Sequence, residues 1–148
     1  MKKGFTLVEL VATLSVLAII IAMVVIDVNY FSKQRKDNEY NNLVTIIEEN
    51  TKVLVNTNAQ ISQSIDRKLR NLQQAKQSDS SVVVTCKLSY EELINNNLMD
   101  RNTVNPINNK KIDGKSYIKI SLDSSDEYKY EFIYTDEEEL DDIDNCLN

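Results

Sequence analysis

Between Phe5 and Ile26 the chain carries one ionisable side chain, Glu9, in an otherwise apolar run. As a helix rising about 1.5 Å per residue, this run spans roughly 33 Å, enough to cross a hydrocarbon core about 30 Å thick. The basic leader Lys2-Lys3 and the Gly4–Phe5 junction stand before the run. A secretory signal peptide is cut after its apolar region, usually behind small residues, and that region is lost. A cut after Gly4 would instead keep the helix in the mature protein and make it a working part. Glu9 sharpens the point, since a carboxylate in a membrane helix costs on the order of 3 kcal/mol and is usually paired or functional. Cleavage at Gly4 would free an α-amine on Phe5, one helical turn before Glu9. Amine and carboxylate can then pair within one chain or across two. The simpler alternatives are a carboxylate that snorkels to the bilayer edge and an ordinary signal anchor.

Lys2, Lys3, Gly4, Phe5, Thr6, Leu7, Val8, Glu9 and Leu10, followed by Val11 to Ile26, resemble the class III signal peptide of type IV pilins and pseudopilins. The resemblance implies a prepilin peptidase that cleaves after Gly4 and N-methylates Phe5. It also implies that Glu9 pairs with the Phe5 amine of a neighbouring subunit and sets the axial register of a filament. The partners implied are other pilin subunits, an assembly platform protein and a cytoplasmic ATPase. Residues 1–4 are then a cleaved leader, 5–26 the transmembrane and polymerisation half of a helix, and 27–148 an extracytoplasmic head. Lys2 and Lys3 favour a cytoplasmic N-terminus, but Lys33, Arg35 and Lys36 carry similar charge beyond the other end. Charge alone leaves the orientation open. The processing signal implies it, because the peptidase works at the cytoplasmic face. The subunit is expected as a single-pass membrane protein that later enters a cell-surface filament.

With 148 residues in all, about 120 remain for one small domain with a modest core. The formal charge is −6, falling to −8 if Lys2 and Lys3 leave. An acidic head argues against direct nucleic-acid binding, which needs a basic stripe to release counterions. The chain has no histidine, the commonest general base and a common metal ligand. Its two glycines, Gly4 and Gly114, make no phosphate loop. Neither an enzyme nor a cofactor is expected.

Beyond Ile26, Tyr40, Leu43, Val44, Ile47, Thr51 and Leu54 keep three- and four-residue spacing, with no glycine or proline between. This predicts an unkinked helix from about Phe5 to the mid-fifties, stopping near Asn56-Thr57-Asn58. Ile61, Ile65, Leu69 and Leu72 repeat the spacing to about Lys76, as a second helix or as a continuation of the first. Gln77 to Ser81 reads as a linker and Val82 to Thr85 as a short strand. Ser89-Tyr90-Glu91-Glu92 has the pattern of a capping box that opens a helix of Tyr90 to Asn96. Asn105-Pro106 predicts a loop. Asp113-Gly114 turns into a strand of Tyr117 to Leu122, which pairs with Tyr128 to Tyr134 as an antiparallel hairpin. Tyr128, Tyr130, Phe132 and Tyr134 alternate on one face, more suited to a helix-facing core than to a ligand platform. The fold class is α+β: a long N-terminal helix packed on a small antiparallel sheet, as in pilins.

Cys86 and Cys146 both fall in the expected extracytoplasmic part, where a disulfide is permitted. It would close a loop of roughly sixty residues, worth roughly 4 kcal/mol in the chain-entropy model. Two independent thiols are the alternative. Asp136 to Asp144 is an acidic run broken by Leu140 and Ile143. It reads as a solvated segment before a calcium site, because its spacing fits no calcium loop, and no metal is expected. The functional expectation is a structural subunit of a type IV pilus-like filament. A pseudopilin of a type II secretion or DNA-uptake machine is the alternative with the same architecture. A bitopic membrane protein that binds a partner without polymerising is the alternative from another class.

Overall fold

The computed structural model describes residues 6–75, 83–122, 126–135 and 142–148, the side chains of 25–29 excepted. The elements run α1 Leu7–Thr57, α2 Ala59–Ala75, β1 Val84–Ser89, α3 Tyr90–Asn95, β2 Tyr117–Leu122 and β3 Tyr128–Ile133. The chain divides into two compact units, Met1–Glu39 and Tyr40–Asn148. In the first unit the described residues from Leu7 onward belong to α1.

The second unit is an α+β head. It contains the end of α1, both shorter helices and a three-stranded antiparallel sheet in the order β1-β2-β3. Ile47, Thr51, Leu54 and Val55 of α1 are buried, with Leu43 and Val44 half-buried beside them. That is the apolar stripe expected from the spacing. The helix stops where expected. Asn58 accepts from the Gln60 and Ile61 amides through Oδ1, at 3.2 and 3.3 Å, and so caps a separate helix α2. On α2, Ile61, Ile65 and Leu69 are buried at four-residue spacing. Each such side chain, moved from water to the core, favours the fold by about 1.5–3 kcal/mol.

Strand register stacks the apolar rows. Val84, Leu122 and Tyr128 form one cross-strand row; Cys86, Ile120 and Tyr130 form the next; Leu88, Ile118 and Phe132 form the third. These rows join Ile47, Leu54, Ile65 and Leu69 in one core. Tyr128, Tyr130 and Tyr134 pack against that core, so the aromatic alternation marks its inner face. The opposite face shows Lys87, Lys119 and Glu131 in one row, with Lys119 and Glu131 paired. Polar bonds also tie helices to the rest of the head. Glu48 Oε1 accepts from the Phe132 amide at 3.2 Å. Asn50 Nδ2 donates to the Leu98 carbonyl at 2.8 Å. Tyr128 Oη donates to Asp66 Oδ1 at 2.9 Å.

Two local expectations need correction. The strand expected at Val82 to Thr85 is β1, Val84–Ser89, which begins later and runs longer. Its true signal is the alternation of Val84, Cys86 and Leu88, all buried, with Thr85, Lys87 and Ser89. The expected linker 77–81 and Val82 lie outside the described residues. The capping box at Ser89 also fails to close as expected. Ser89 is the N-cap of α3, but its Oγ accepts from the Glu91 amide, at 3.2 Å, rather than from that of Glu92. The same hydroxyl donates to the Gly114 carbonyl at 3.1 Å. Glu91, one residue before the glutamate of the box, pairs with Arg101 at 2.6 Å.

The Asn-Pro segment is an ordered loop. Asn105 is almost fully buried, its Oδ1 accepts from the Ile107 amide, and a Val104↔Lys111 bridge closes the base.

Candidate functional site

The first turn of α1 is closed by two side chains, Thr6 and Glu9. Thr6 stands just before Leu7, the first helical residue, where backbone N–H groups lack intrahelical acceptors. Thr6 Oγ1 accepts from the Glu9 amide at 3.4 Å. Glu9 Oε2 in return accepts from the Thr6 amide at 3.0 Å and from Thr6 Oγ1 at 2.9 Å. This is the reciprocal capping box of a Thr-x-x-Glu pattern. It also sets a negative charge at the positive end of the helix dipole. The carboxylate therefore has local partners on its own chain. The sequence pattern was available at Thr6 and its meaning was missed there. Gly4 and Phe5, the expected processing residues, lie outside the described residues.

The helix that follows is unusual for its exposure. Leu7 to Val24 has a mean hydropathy of 2.7 and none of it is buried. Leu7, Val8, Leu10, Leu14, Leu17, Ile20 and Met23 are each more than half exposed. Isolated exposed apolar residues are ordinary, but a continuous apolar cylinder of this length requires a bilayer or other protein around it. Its two hydroxyls are turned inward to the backbone: Thr13 Oγ1 donates to the Leu10 carbonyl and Ser15 Oγ to the Val11 carbonyl. Within Leu7–Val24, Glu9 is the one charged side chain.

In the head, Cys86 and Cys146 are joined in a disulfide with a Cα–Cα distance of 5.0 Å. Both are buried. Around it the C-terminal peptide lies along the outer edge of β1. The Lys87 amide donates to the Asp144 carbonyl at 2.8 Å, and the Cys146 amide to the Lys87 carbonyl at 2.9 Å. An edge strand with free backbone groups is thereby covered. Lys68 of α2 approaches Asp144 at 3.5 Å and holds the same peptide from the helix side.

Four phenols in the head have pKa values raised by burial: Tyr40, Tyr90, Tyr128 and Tyr130. For Tyr128 the bond to Asp66 adds to burial and the value is pushed up to about 12. These phenols serve packing, and each stays protonated through the neutral range. Among the described residues no group of three or more carboxylates, cysteines or histidines is arranged to hold a metal. Most of the acidic run considered for calcium, residues 136–141, lies outside the described residues.

Residues 1–25 match the prokaryotic N-terminal methylation motif, the processing signal of type IV prepilins and pseudopilins. No curated protein and no solved structure matches the chain. The first turn of α1, with Thr6 and Glu9, therefore lies inside a prepilin-type signal.

Proposed function

We propose that the chain is a structural subunit of a type IV pilus-like filament, processed after Gly4 and assembled through its N-terminal helix. The observation that carries this reading is coincidence: the prepilin signal at residues 1–25 contains the exposed apolar span Leu7–Val24, with Glu9 in the first turn of its helix. A prepilin peptidase cuts the Gly4–Phe5 bond and methylates the new amine, which keeps its positive charge. The Thr6 amide survives that cut as part of the Phe5–Thr6 peptide. The mature subunit thus retains the Thr6–Glu9 box, and its helix starts almost at its first residue.

Before assembly, residues 5–26 hold the subunit in the membrane, with the head, residues 27–148, on the outer side. In the filament the same helix packs against helices of other subunits. Lipid tails are about as apolar as leucine, so this exchange brings little hydrophobic gain. Helix packing, the pairing of Glu9 and an external motor must then decide when a subunit leaves the bilayer. Glu9 trades its Thr6 partners for the charged Phe5 amine of a neighbour, an ion pair of close approach in a low-dielectric setting. An assembly platform protein and a cytoplasmic ATPase complete the partners.

The test is the N-terminal mass of the protein in a fraction sheared from the cell surface. An N-methylated Phe5 start in that fraction is expected. An intact Met1, found only in membranes, would make the helix a simple anchor and end the filament reading.

A further inference from the structure

Lys33, Arg35 and Lys36 follow one another on α1 just beyond the apolar span. With the N-terminus on the cytoplasmic side they stand on the outer side, against the usual bias of lysine and arginine. The fold makes little use of them. Arg35 lies 4.0 Å from Glu39, with both side chains more than half exposed, and such a pair contributes little. Among the described residues Lys33 and Lys36 have no ion-pair partner. Directly before them, Tyr30 and Phe31 are 72% and 62% exposed.

Their heights along the helix are telling. If the hydrocarbon begins at Leu7, a rise of about 1.5 Å per residue brings α1 out of a core of about 30 Å near residue 27. Tyr30 and Phe31 then fall in the headgroup layer, where amphipathic aromatic rings collect. The cations follow roughly 5–10 Å further on. Helical side chains lean toward the N-terminus, which here is toward the bilayer. Long lysine and arginine stems can therefore carry their charges back to the headgroups. At about 100° per residue the five side chains surround the helix as a collar rather than a stripe. Asp27 stands before the collar, where α1 leaves the hydrocarbon, and takes one charge from its three; Asp37 and Glu39 stand beyond it, further from the lipid.

We propose that this collar, Tyr30 to Lys36, docks on anionic lipid headgroups of the outer leaflet while the subunit waits in the membrane. The proposal rests on the membrane-anchored reading above. Charge complementarity selects the partner: three cations, offset in part by Asp27, stand behind two interfacial aromatics and leave a net positive charge that fits a phosphate-bearing lipid surface. The contacts are lost when a subunit enters a filament, so anionic lipid raises the barrier to its release.

The test reconstitutes the full chain in phosphatidylcholine vesicles doped with spin-labelled phosphatidylglycerol or spin-labelled phosphatidylcholine. The fraction of each label slowed by the protein gives the preference. A preference for phosphatidylglycerol that weakens with salt is expected. It should persist in Lys2→Gln/Lys3→Gln and fall several-fold in Lys33→Gln/Arg35→Gln/Lys36→Gln, at most about fivefold per cation. An unchanged preference in the triple variant, or equal slowing of both labels by the natural chain, would overturn the collar. So would a preference seen only when subunits associate, which would assign these residues to a neighbouring copy. Oriented circular dichroism of the same vesicles separates the two readings. A helix that still crosses the bilayer leaves the anchor standing when the collar fails, and a helix lying flat overturns both.

Discussion

Glu9 Oε2 lies 2.9 Å from Thr6 Oγ1 and 3.0 Å from the Thr6 amide, so the carboxylate is already bonded before any neighbour arrives. The bonds close the helix start and hold the charge in the first turn, beside the residue that processing would make N-terminal. A carboxylate held in this way is ordered for pairing with an incoming amine, at the cost of releasing Thr6.

Glu9→Ala is expected to be processed and inserted normally but to enter filaments at least about tenfold less, the loss of roughly 1.4 kcal/mol of pairing. Thr6→Val keeps the charge and removes the cap hydroxyl, worth about 1 kcal/mol of helix start. It should insert normally and show a smaller fall. Quantifying each subunit in sheared and membrane fractions checks both. Normal incorporation of Glu9→Ala would remove the amine–carboxylate account.

Asn58 marks the break between α1 and α2, and its Oδ1 serves two amides of α2. Asn58→Ala should cost about 1 kcal/mol of head stability, as for other N-caps. Leu69→Ala, in the core, should cost about 2–5 kcal/mol through the cavity it leaves. Thermal unfolding of the two variants in the same detergent compares them. Equal shifts would mean that Asn58 does more than cap.

The contrast between Ser89 and Thr6 shows how much of this molecule could be read from its residues. Both begin a Ser/Thr-x-x-Glu pattern. The box closes at Thr6, whose hydroxyl donates to the Glu9 carboxylate, and does not close at Ser89, whose hydroxyl donates to the Gly114 carbonyl. Gly114 is twenty-five residues away in sequence. No local pattern announces that contact. Periodicity was legible wherever one face meets one core, as at Ile61, Ile65 and Leu69 or along β2. It misled at β1, because the run of three valines outweighed the alternation through Cys86 and Leu88. The parallel seat of Asp144 to Cys146 against Lys87 was foreshadowed by the cysteine pair alone.

Tyr90 is fully buried and Tyr128 half-buried, and their phenols differ in their partners. The Tyr128 hydroxyl donates to Asp66, which also receives Arg70 at 2.8 Å. Among the described residues the Tyr90 hydroxyl makes no hydrogen bond of ordinary geometry, and the neighbouring Thr103 hydroxyl donates to the Asp100 carbonyl instead. Tyr128→Phe should therefore destabilise the head by about 1 kcal/mol, whereas Tyr90→Phe should be neutral or slightly stabilising. Denaturant titration with paired midpoints tests the difference, and a larger loss for Tyr90→Phe would reveal a partner for its hydroxyl.

The same phenols give the head an alkaline limit. Tyr128 is raised from an ordinary value of 10 to about 12, so the folded state holds this proton more tightly than the unfolded chain. Its contribution is complete below pH 10 and disappears as pH rises toward 12, since stability falls wherever the native state binds more protons. Tyr40, Tyr90 and Tyr130 shift in the same direction and steepen the fall. Unfolding midpoints measured from pH 9 to 12 should decline, and Tyr128→Phe should flatten the decline. An unchanged slope in that variant would place the titration elsewhere.

The Cys86–Cys146 bridge closes the β1 edge as well as a long loop. Removing it should cost the head about 2–5 kcal/mol, by the entropy returned to the unfolded chain. A purely entropic staple would leave the native contacts intact in Cys86→Ser/Cys146→Ser. Among the described residues the C-terminal peptide is otherwise held by two backbone bonds, by Lys68 and by the packing of Leu147 against the core, an arrangement too small to order seven residues unaided. The variant should therefore also lose protection at the Lys87 amide, which donates outward to Asp144, while the Ile120 and Leu122 amides inside the sheet stay protected. Hydrogen exchange of the folded variant reads both groups at once. Full protection at Lys87 would show that the peptide binds its edge without the bridge, and that the disulfide acts only on the unfolded state.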